Sequence, residues 1–266
     1  MSAFAICCPG ASRLSAPRVY LSNVTRIETE NKALNKTPKH NRPPRRLYVF
    51  DIDGTLINTG GAGSAAMRAA FQAVWRVEDG FRRVEFSGRS DLAIFEDALR
   101  DCEADDCDFR EAVRRFKRAY FRRLPLFLEK HDGRVLPGVP ALLERLASDS
   151  CATLVLGTGN FRTSAGIKLK HYGLHEYFKS RGGFGDRTGH RPTLIGHGIT
   201  AATRKYGKHA SVFVIGDTVH DINAAKSNGA IAVGVATGMA TEADLRAAGA
   251  DIVYRTLEDA ADLIGS

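Results

Sequence analysis

The chain lacks the features that would place it in a membrane or in a disulfide-stabilised class. Among its 266 residues, no stretch approaches the ~20 consecutive apolar residues that a membrane-spanning helix requires. It has five cysteines, an odd number whose spacing matches no zinc motif. Reduced thiols in a cytosolic compartment are the simplest interpretation. We therefore predict a cytoplasmic protein without a membrane partner.

Acidic residues are scarce at the amino-terminal end. Residues 1–46 hold nine Lys/Arg and two Glu, whereas the rest of the chain holds 29 basic and 28 acidic residues. The formal charge of +8 therefore comes mainly from this segment, which we predict to be a disordered basic extension. Its Arg- and Ser-bearing, acid-poor composition leaves an organellar transit peptide as a second interpretation. No nucleic-acid partner is expected, because no RNA-binding motif accompanies the charge.

Polar residues follow three apolar runs that have the pattern of buried strands. The polar residues are Asp51-Ile52-Asp53-Gly54-Thr55 after the apolar run 47–50, Thr158-Gly159-Asn160 after 152–157, and Asp217 to Asp221 after 211–216. Any one of them could be an ordinary turn. In an open parallel α/β sheet, however, the carboxyl ends of the strands form the edge where ligands bind. The ordered set therefore predicts one site.

Taken in order, these motifs resemble those of the haloacid dehalogenase-type phosphohydrolases. Asp51 to Thr55 matches the first motif, Thr158 the second, and Gly216 to Asp221 the fourth. The resemblance covers about residues 47 to 254, and the stretches 87–91 and 182–185 are similar to the phosphoglycolate phosphatase-like branch. It implies an α/β fold with a Rossmann-like parallel sheet and a small phosphorylated metabolite as substrate.

A helical pattern separates the first and second strands. Residues from 63 to about 134 carry apolar side chains at i, i+3 and i+4 spacing, over a length that no simple βα loop has. We predict a helical cap at 63–135, inserted between the 47–62 and 136–266 parts of the α/β core. Arg89, in the turn at 87–91, is the predicted substrate-binding residue of the cap.

The resemblance implies roles for the acids. Asp51 is the expected nucleophile, because a carboxylate can attack phosphorus and form an acyl-phosphate. Asp53 is the expected general acid/base, and its main-chain carbonyl the expected metal ligand. Hard oxygen ligands from Asp51 and Asp217 suit Mg²⁺, with Asp221 completing or orienting the shell. The alternative for Asp221 is an N-cap on a helix that starts at Ile222.

The substrate phosphate is expected at the second motif. Thr158, with the amides of Gly159 and Asn160, is predicted to open a helix, whose N-terminus binds anions; an ordinary N-cap is the alternative. The family usually places a Lys before a Pro, and here Arg191 stands at that place, before Pro192. Three lysines are lower-ranked alternatives for this cation: Lys168, Lys170 and Lys205.

These residues and the resemblance predict a Mg²⁺-dependent phosphomonoester hydrolase that forms an aspartyl-phosphate, with 2-phosphoglycolate as the expected substrate. The presence of Asp53 argues against C–halogen cleavage, since the dehalogenase branch lacks this acid. A sugar phosphomutase and a nucleotide or sugar phosphatase remain alternatives within the family. A non-catalytic binding module on the same fold is the alternative from another class. The oligomeric state is left open.

Overall fold

The computed structural model of the protein describes residues 45–102, 108–179 and 181–264. Residues 1–44, and with them nearly all of the predicted basic extension, lie outside the described residues. Cys7 and Cys8 belong to that part of the chain, and Cys107 is outside the described ranges as well.

Six strands form a parallel sheet, which confirms the predicted fold class. They are β1 (Arg46–Phe50), β4 (Ala152–Thr158), β5 (Gly182–Phe184), β6 (Ser211–Gly216), β7 (Ile231–Val235) and β8 (Ile252–Tyr254). Their order is β5-β4-β1-β6-β7-β8, and every neighbouring pair is parallel. The three strands that precede the motifs are therefore adjacent, with β1 between β4 and β6.

Helices connect the strands and cover the sheet. They are α4 (Val139–Ser148), α5 (Arg162–His171), the single turn α6 (His175–Phe178), α7 (Arg191–Tyr206), α8 (Val219–Ser227) and α9 (Glu242–Ala247), followed by 3₁₀ turns at Leu257–Ile264. The last strand, β8, lies at an edge of the sheet.

Alternation along β1 divides the core into two layers. Tyr48 and Phe50 belong to the apolar cluster on one face of the sheet, and Leu47 and Val49 belong to the cluster on the other. All four side chains are fully buried. A strand whose residues are apolar on both faces is typical of a parallel sheet that is covered on both sides by helices. This packing holds the end of β1, and hence Asp51, in a fixed position.

The described part of the insertion between β1 and β4 contains three helices. The chain runs through β2 (Ile57–Asn58), α1 (Ala62–Trp75), α2 (Asp91–Asp101), α3 (Phe109–Lys130) and β3 (Arg134–Val135). β2 and β3 pair antiparallel, so the insertion leaves and rejoins the core at one place. Its helices share an apolar cluster of their own, in which the rings of Phe95 and Phe116 stack with their centroids 4.4 Å apart.

The insertion also contacts the core at the loop that follows β4. Phe161, in this loop, is fully buried within the apolar cluster of the insertion. The backbone N–H of Asp91 donates to the carbonyl of Gly159 at 2.8 Å, and its carboxylate accepts from the N–H of Phe161 and the hydroxyl of Ser164, each at 2.8 Å. The turn at 87–91 is thereby held against the carboxyl edge of the sheet.

None of the helices in the described ranges combines the length and apolarity needed to span a membrane.

Candidate active site

The adjacent strands β4, β1 and β6 bring the predicted site residues together. In the register of the sheet, Phe50 is opposite Leu156 of β4 and Ile215 of β6. The residues that come next along each strand therefore meet at one edge. Asp51, Thr158 and Asp217 are all buried there, and all three border or line a common cavity of about 460 Å³.

Asp51 lies at the centre of this edge and is almost completely buried. One carboxylate oxygen, Oδ2, contacts Nη2 of Arg191 at 2.8 Å. The other, Oδ1, is buried and has no hydrogen-bond partner among the described residues. Burial raises the pKa of the Asp51 carboxyl to about 6; Arg191 opposes this rise, and Asp221 and Asp53 add to it. An unsatisfied buried carboxylate oxygen is costly, so this atom calls for a ligand.

Asp51, Asp217 and Asp221 form a buried acidic cluster. Each offers an oxygen, and the three oxygens lie within 4.8 Å of one another. The hydroxyl of Thr55 donates to Oδ1 of Asp217 at 2.9 Å, and burial raises the pKa of Asp217 well above its usual range. Clustered carboxylates with a free oxygen are hard donors of the kind that Mg²⁺ prefers. The residues present therefore fit this ion.

Glycine is required beside Asp217. A Cβ added to Gly54 would lie 2.2 Å from Oδ2 of Asp217, and a Cβ added to Gly238 would lie 1.7 Å from the same atom. Gly54 also has φ +81°, a left-handed conformation that side chains other than glycine disfavour. The glycine that follows Asp53 in the sequence thus makes room for the carboxylate of Asp217, which is 163 residues further along the chain.

Asp221 has two structural partners as well as its place in the acidic cluster. The helix α8 begins at Val219, three residues before the predicted Ile222, and Thr218 is its N-cap. Asp221 is the third residue of the helix and forms a capping box, in which its Oδ2 accepts from the backbone N–H of Thr218 at 3.2 Å and its own N–H donates to the Thr218 hydroxyl at 3.3 Å. Its Oδ1 accepts from Nε of Arg191 at 2.9 Å. The alternative prediction, that Asp221 is the N-cap of a helix starting at Ile222, is therefore wrong, because Thr218 is the N-cap. The carboxylate of Asp221 nevertheless stabilises the start of the helix.

Arg191 lies between two of the acids. It is the first residue of α7 and is only 8% exposed. Burial lowers the pKa of its guanidinium, but Asp221 and Asp51 outweigh this effect and raise the pKa overall. The planar fork of an arginine can contact two carboxylates at once. The structure therefore places the predicted cation against Asp51.

A second buried cation, Lys168, contacts Asp53. Its Nζ lies 2.8 Å from Oδ1 and 2.7 Å from Oδ2 of Asp53, and 2.7 Å from Oδ1 of Asn160. Nδ2 of Asn160 donates to Oδ2 of Asp53 at 2.7 Å and to the Thr158 hydroxyl at 2.8 Å. Sequence reasoning ranked Lys168 below Arg191 as the cation of the site. Both belong to it, each with a different carboxylate.

The signal for Lys168 was present in the helix pattern. On α5, Lys168 follows Ala165 by three residues, and both are buried, as is the adjacent Leu169. A lysine within the apolar stripe of a helix must be paired. The other two alternatives, Lys170 and Lys205, are exposed.

The prediction that Thr158 opens a helix is wrong. Thr158 is the last residue of β4, and α5 begins four residues later at Arg162, after Phe161. The side chains of Thr158 and Asn160 bind each other instead. Gly159 passes close to the insertion, since a Cβ there would lie 2.6 Å from the carbonyl oxygen of Arg89.

Arg89 borders the cavity from the side of the insertion. Its Nη1 donates to Asp97 of α2, so the guanidinium is paired within the insertion. Asp91, two residues later, is buried between the insertion and the core, and burial is the main reason that its pKa is raised to about 6. The rest of that wall is largely apolar, with Met67, Phe86, Ile94 and Tyr120.

The carboxyl edge of the parallel sheet, where ligands bind in α/β folds, thus gathers three buried acids and a buried arginine. The family model of haloacid dehalogenase-like hydrolases matches residues 46–229. The chain belongs to this family.

Three curated relatives are similar to most of the chain. The probable phosphatase IndB of Dickeya dadantii is 27% identical over 213 residues, 80% of this chain and 90% of the relative. A 5′-nucleotidase of Pseudomonas aeruginosa is 30% identical over 203 residues, 75% of this chain and 86% of the relative. A phosphoglycolate phosphatase of Agrobacterium fabrum is 26% identical over 200 residues, 74% of this chain and 83% of the relative. The chain is thus a phosphatase, and the predicted enzyme class is confirmed.

Proposed function

We propose that the protein is a Mg²⁺-dependent phosphomonoesterase that acts on a small organic phosphate through an aspartyl-phosphate on Asp51. The observation that carries this proposal is Asp51 itself. Asp51 is buried and lines the cavity, it is paired on one oxygen with Arg191, and its other oxygen has no hydrogen-bond partner among the described residues. A carboxylate held in this way is ready to attack an electrophile in the cavity.

The reaction uses two acids in turn. A carboxylate oxygen of Asp51 bonds to phosphorus as the bond between phosphorus and the leaving oxygen breaks, and Asp53 gives its proton to that oxygen. Water then bonds to phosphorus as the Asp51–phosphorus bond breaks, and Asp53 takes the proton of the water. Inorganic phosphate and a free carboxylate are restored.

Two parts of the site compensate negative charge. Arg191 contacts Asp51 and Asp221, and its positive charge offsets the repulsion among the buried acids. Asp51 and Asp217, supported by Asp221, would hold Mg²⁺, which when bound neutralises the charge of the substrate phosphate. The main-chain carbonyl of Asp53 is the further ligand that the family resemblance implies.

The substrate proposed first is 2-phosphoglycolate. It is supported by the similarity of the turn at 87–91 to the phosphoglycolate phosphatase-like branch and by the name of the Agrobacterium relative. Arg89 is the cation of that turn and would bind the substrate carboxylate. Its pairing with Asp97 must then be shared with the substrate.

A nucleoside 5′-monophosphate is the second candidate. A cavity of about 460 Å³ has room for more than the two-carbon skeleton of phosphoglycolate. Its wall of Met67, Phe86 and Ile94 suits an apolar or ring-containing leaving group. The Pseudomonas relative carries the name of a 5′-nucleotidase.

Release of inorganic phosphate from a panel of esters tests the proposal. The panel contains 2-phosphoglycolate, nucleoside 5′-monophosphates, sugar phosphates and 4-nitrophenyl phosphate, each with Mg²⁺ and with excess chelator. Asp51→Asn is nearly isosteric and should abolish turnover while the chain stays folded. Asp259→Asn, at an exposed acid outside the cavity, is the matched control and should keep full activity. Normal rates for Asp51→Asn would refute the nucleophile, and equal rates in chelator would refute the metal.

Arg89→Ala separates the substrate candidates. It should lower kcat/KM for 2-phosphoglycolate much more than for 4-nitrophenyl phosphate, because only the former has a carboxylate to bind. Asp97→Asn, which removes the partner of Arg89 and leaves the arginine, should not lower it. Equal losses on both esters would make Arg89 a structural residue and leave the nucleoside monophosphates as the better candidates.

A further inference from the structure

We propose that Lys168 and Asn160 are positioning residues that fix the side chain of Asp53 for proton transfer to and from the leaving oxygen. This inference rests on the proposed function, since that function gives Asp53 its role as acid/base. It assigns Lys168 a task different from that of Arg191, and it assigns Asn160 a task other than binding substrate.

The Asp53 carboxylate is held by three hydrogen bonds from two neighbours. Lys168 donates to both of its oxygens, at 2.8 and 2.7 Å, and Asn160 donates to one of them at 2.7 Å. Nevertheless, the Asp53 side chain is 41% exposed, whereas that of Lys168 is 5% exposed. One side of the carboxylate is therefore anchored on buried groups while the other faces the cavity. An aspartate at a turn would otherwise sample several rotamers.

The donors of Lys168 are fully used within the chain. An ammonium group has three N–H donors, and they match its three contacts, the two oxygens of Asp53 and Oδ1 of Asn160. No N–H of this lysine is then left to bind a substrate phosphate. This distinguishes a positioning role from the role of a phosphate-binding cation.

The amide of Asn160 is used in the same way. Its two N–H donors match its contacts with Asp53 and with the hydroxyl of Thr158, and its oxygen accepts from Lys168. Thr158 ends β4, so the network connects the side chain of Asp53 to a rigid strand of the sheet.

The insertion lies beside the lysine. A Cβ added to Gly63, in α1, would be in ordinary van der Waals contact with Nζ of Lys168, at 3.4 Å. Arg191 contacts Asp51 and Asp221, not Asp53, so the two cations serve different acids.

Leaving-group dependence tests the role, because protonation matters for poor leaving groups and hardly at all for a nitrophenolate. Lys168→Met removes the ammonium and keeps the length of the side chain. We expect its kcat to fall about 100-fold or more for an alkyl phosphate, the lower range of general acid catalysis, and less than about 5-fold for 4-nitrophenyl phosphate. KM should change little for either ester. Lys170→Met, at an exposed position two residues along the same helix, should match the wild type.

Asp53→Asn separates failure of the positioning role from failure of the proposed function. It should show the same split, that is, a much larger fall in kcat for the alkyl ester than for 4-nitrophenyl phosphate. The double variant with Lys168→Met should show no further loss of kcat on the alkyl ester. If Asp53→Asn shows no split, the acid/base assignment in the proposed function is wrong. If Asp53→Asn shows the split and Lys168→Met lowers both esters equally, the positioning role is wrong and the proposed function stands.

A second variant covers the case in which Lys168→Met fails to fold. Asn160→Ala removes one of the three bonds to Asp53 and leaves the Lys168–Asp53 ion pair intact. It should give a smaller loss with the same preference for the aryl ester, about 10-fold on the alkyl ester, in line with one hydrogen bond to a charged group. A uniform loss on both esters, or a higher KM alone, would overturn the proposal and return Asn160 to substrate binding.

Discussion

Replacing Arg191 is expected to damage both the stability and the chemistry of the site. The guanidinium is 8% exposed and contacts Asp51 at 2.8 Å and, through Nε, Asp221 at 2.9 Å. Arg191→Met keeps the volume of the apolar stem and leaves two buried carboxylates without their shared cation. Breaking a buried ion pair from one side costs about 3–5 kcal/mol. At about 2–4 °C per kcal/mol for a domain of this size, Tm should fall by about 6–20 °C.

The same change should impair the nucleophile. Arg191 opposes the rise in the pKa of Asp51, which stands at about 6 with the arginine in place. Without the arginine the pKa of this carboxyl rises further, so a smaller fraction of Asp51 is ionised near neutral pH. In chelator, the Asp51 carboxyl of Arg191→Met should therefore take up its proton at a higher pH than that of the wild type.

Arg191→Lys is the informative companion, since lysine is the usual residue of the family at this place. It keeps the charge and loses the fork that contacts two carboxylates. Loss of one charged hydrogen bond costs about 1.5–3 kcal/mol, so kcat should fall about 10- to 150-fold and not disappear. Arg204→Met, at an exposed arginine of the same helix, is the control and should stay within about 0.5 kcal/mol of the wild type.

Two assays check these values. Thermal unfolding in chelator measures stability without any contribution from a metal, and release of inorganic phosphate with Mg²⁺ measures turnover. A wild-type Tm for Arg191→Met would refute the reasoning, because it would mean that Asp51 and Asp221 need no compensating cation.

Further predictions follow from other residues of the site and its surroundings. Because the pKa of Asp91 is raised to about 6, the native state binds more protons than the unfolded chain between about pH 4 and 6. The free energy of unfolding therefore falls as pH rises through this window. Asp91→Asn should remove up to ~3 kcal/mol of that fall, measured from the midpoints of urea unfolding at the two ends of the window. An unchanged dependence of stability on pH would contradict this. Gly54→Ala should weaken Mg²⁺ binding by more than tenfold in calorimetry, because its Cβ displaces Asp217; unaltered affinity would exclude this steric role. Phe161→Leu should lower Tm through lost packing in the cluster of the insertion, and an unchanged Tm would deny that contact. A chain that starts at Arg45 should keep the rate of the full chain, and a folded but inactive product would show that residues 1–44 matter to catalysis.

Much of the site was accessible from the sequence because its acids are encoded locally. Asp51 and Asp53 directly follow a strand of apolar residues, and Asp217 follows another. Parallel strands present their carboxyl ends at one edge, so residues in these places must meet whatever the details of the packing. The family and the enzyme class could be predicted from this order alone.

Helix starts were predicted less well, and the errors have physical reasons. Thr158 and Asn160 bind each other's side chains, so the chain turns for three residues before α5 begins at Arg162. At the start of α8, the capping box of Thr218 and Asp221 begins the helix earlier than the apolar pattern suggests. Such ends depend on side-chain hydrogen bonds that hydrophobic periodicity does not record.

The sequence by itself determined the parallel α/β fold, the acids at the strand ends and the class of reaction. Only the tertiary structure decided which cation serves which acid. Lys168 is 115 residues from Asp53, and Arg191 is 140 residues from Asp51. Their contacts depend on the direction in which α5 and α7 leave the sheet and on the insertion that covers Lys168. Strand-end residues are placed by backbone topology, whereas a long basic side chain is placed by the packing around its helix, and packing is a property of the whole fold.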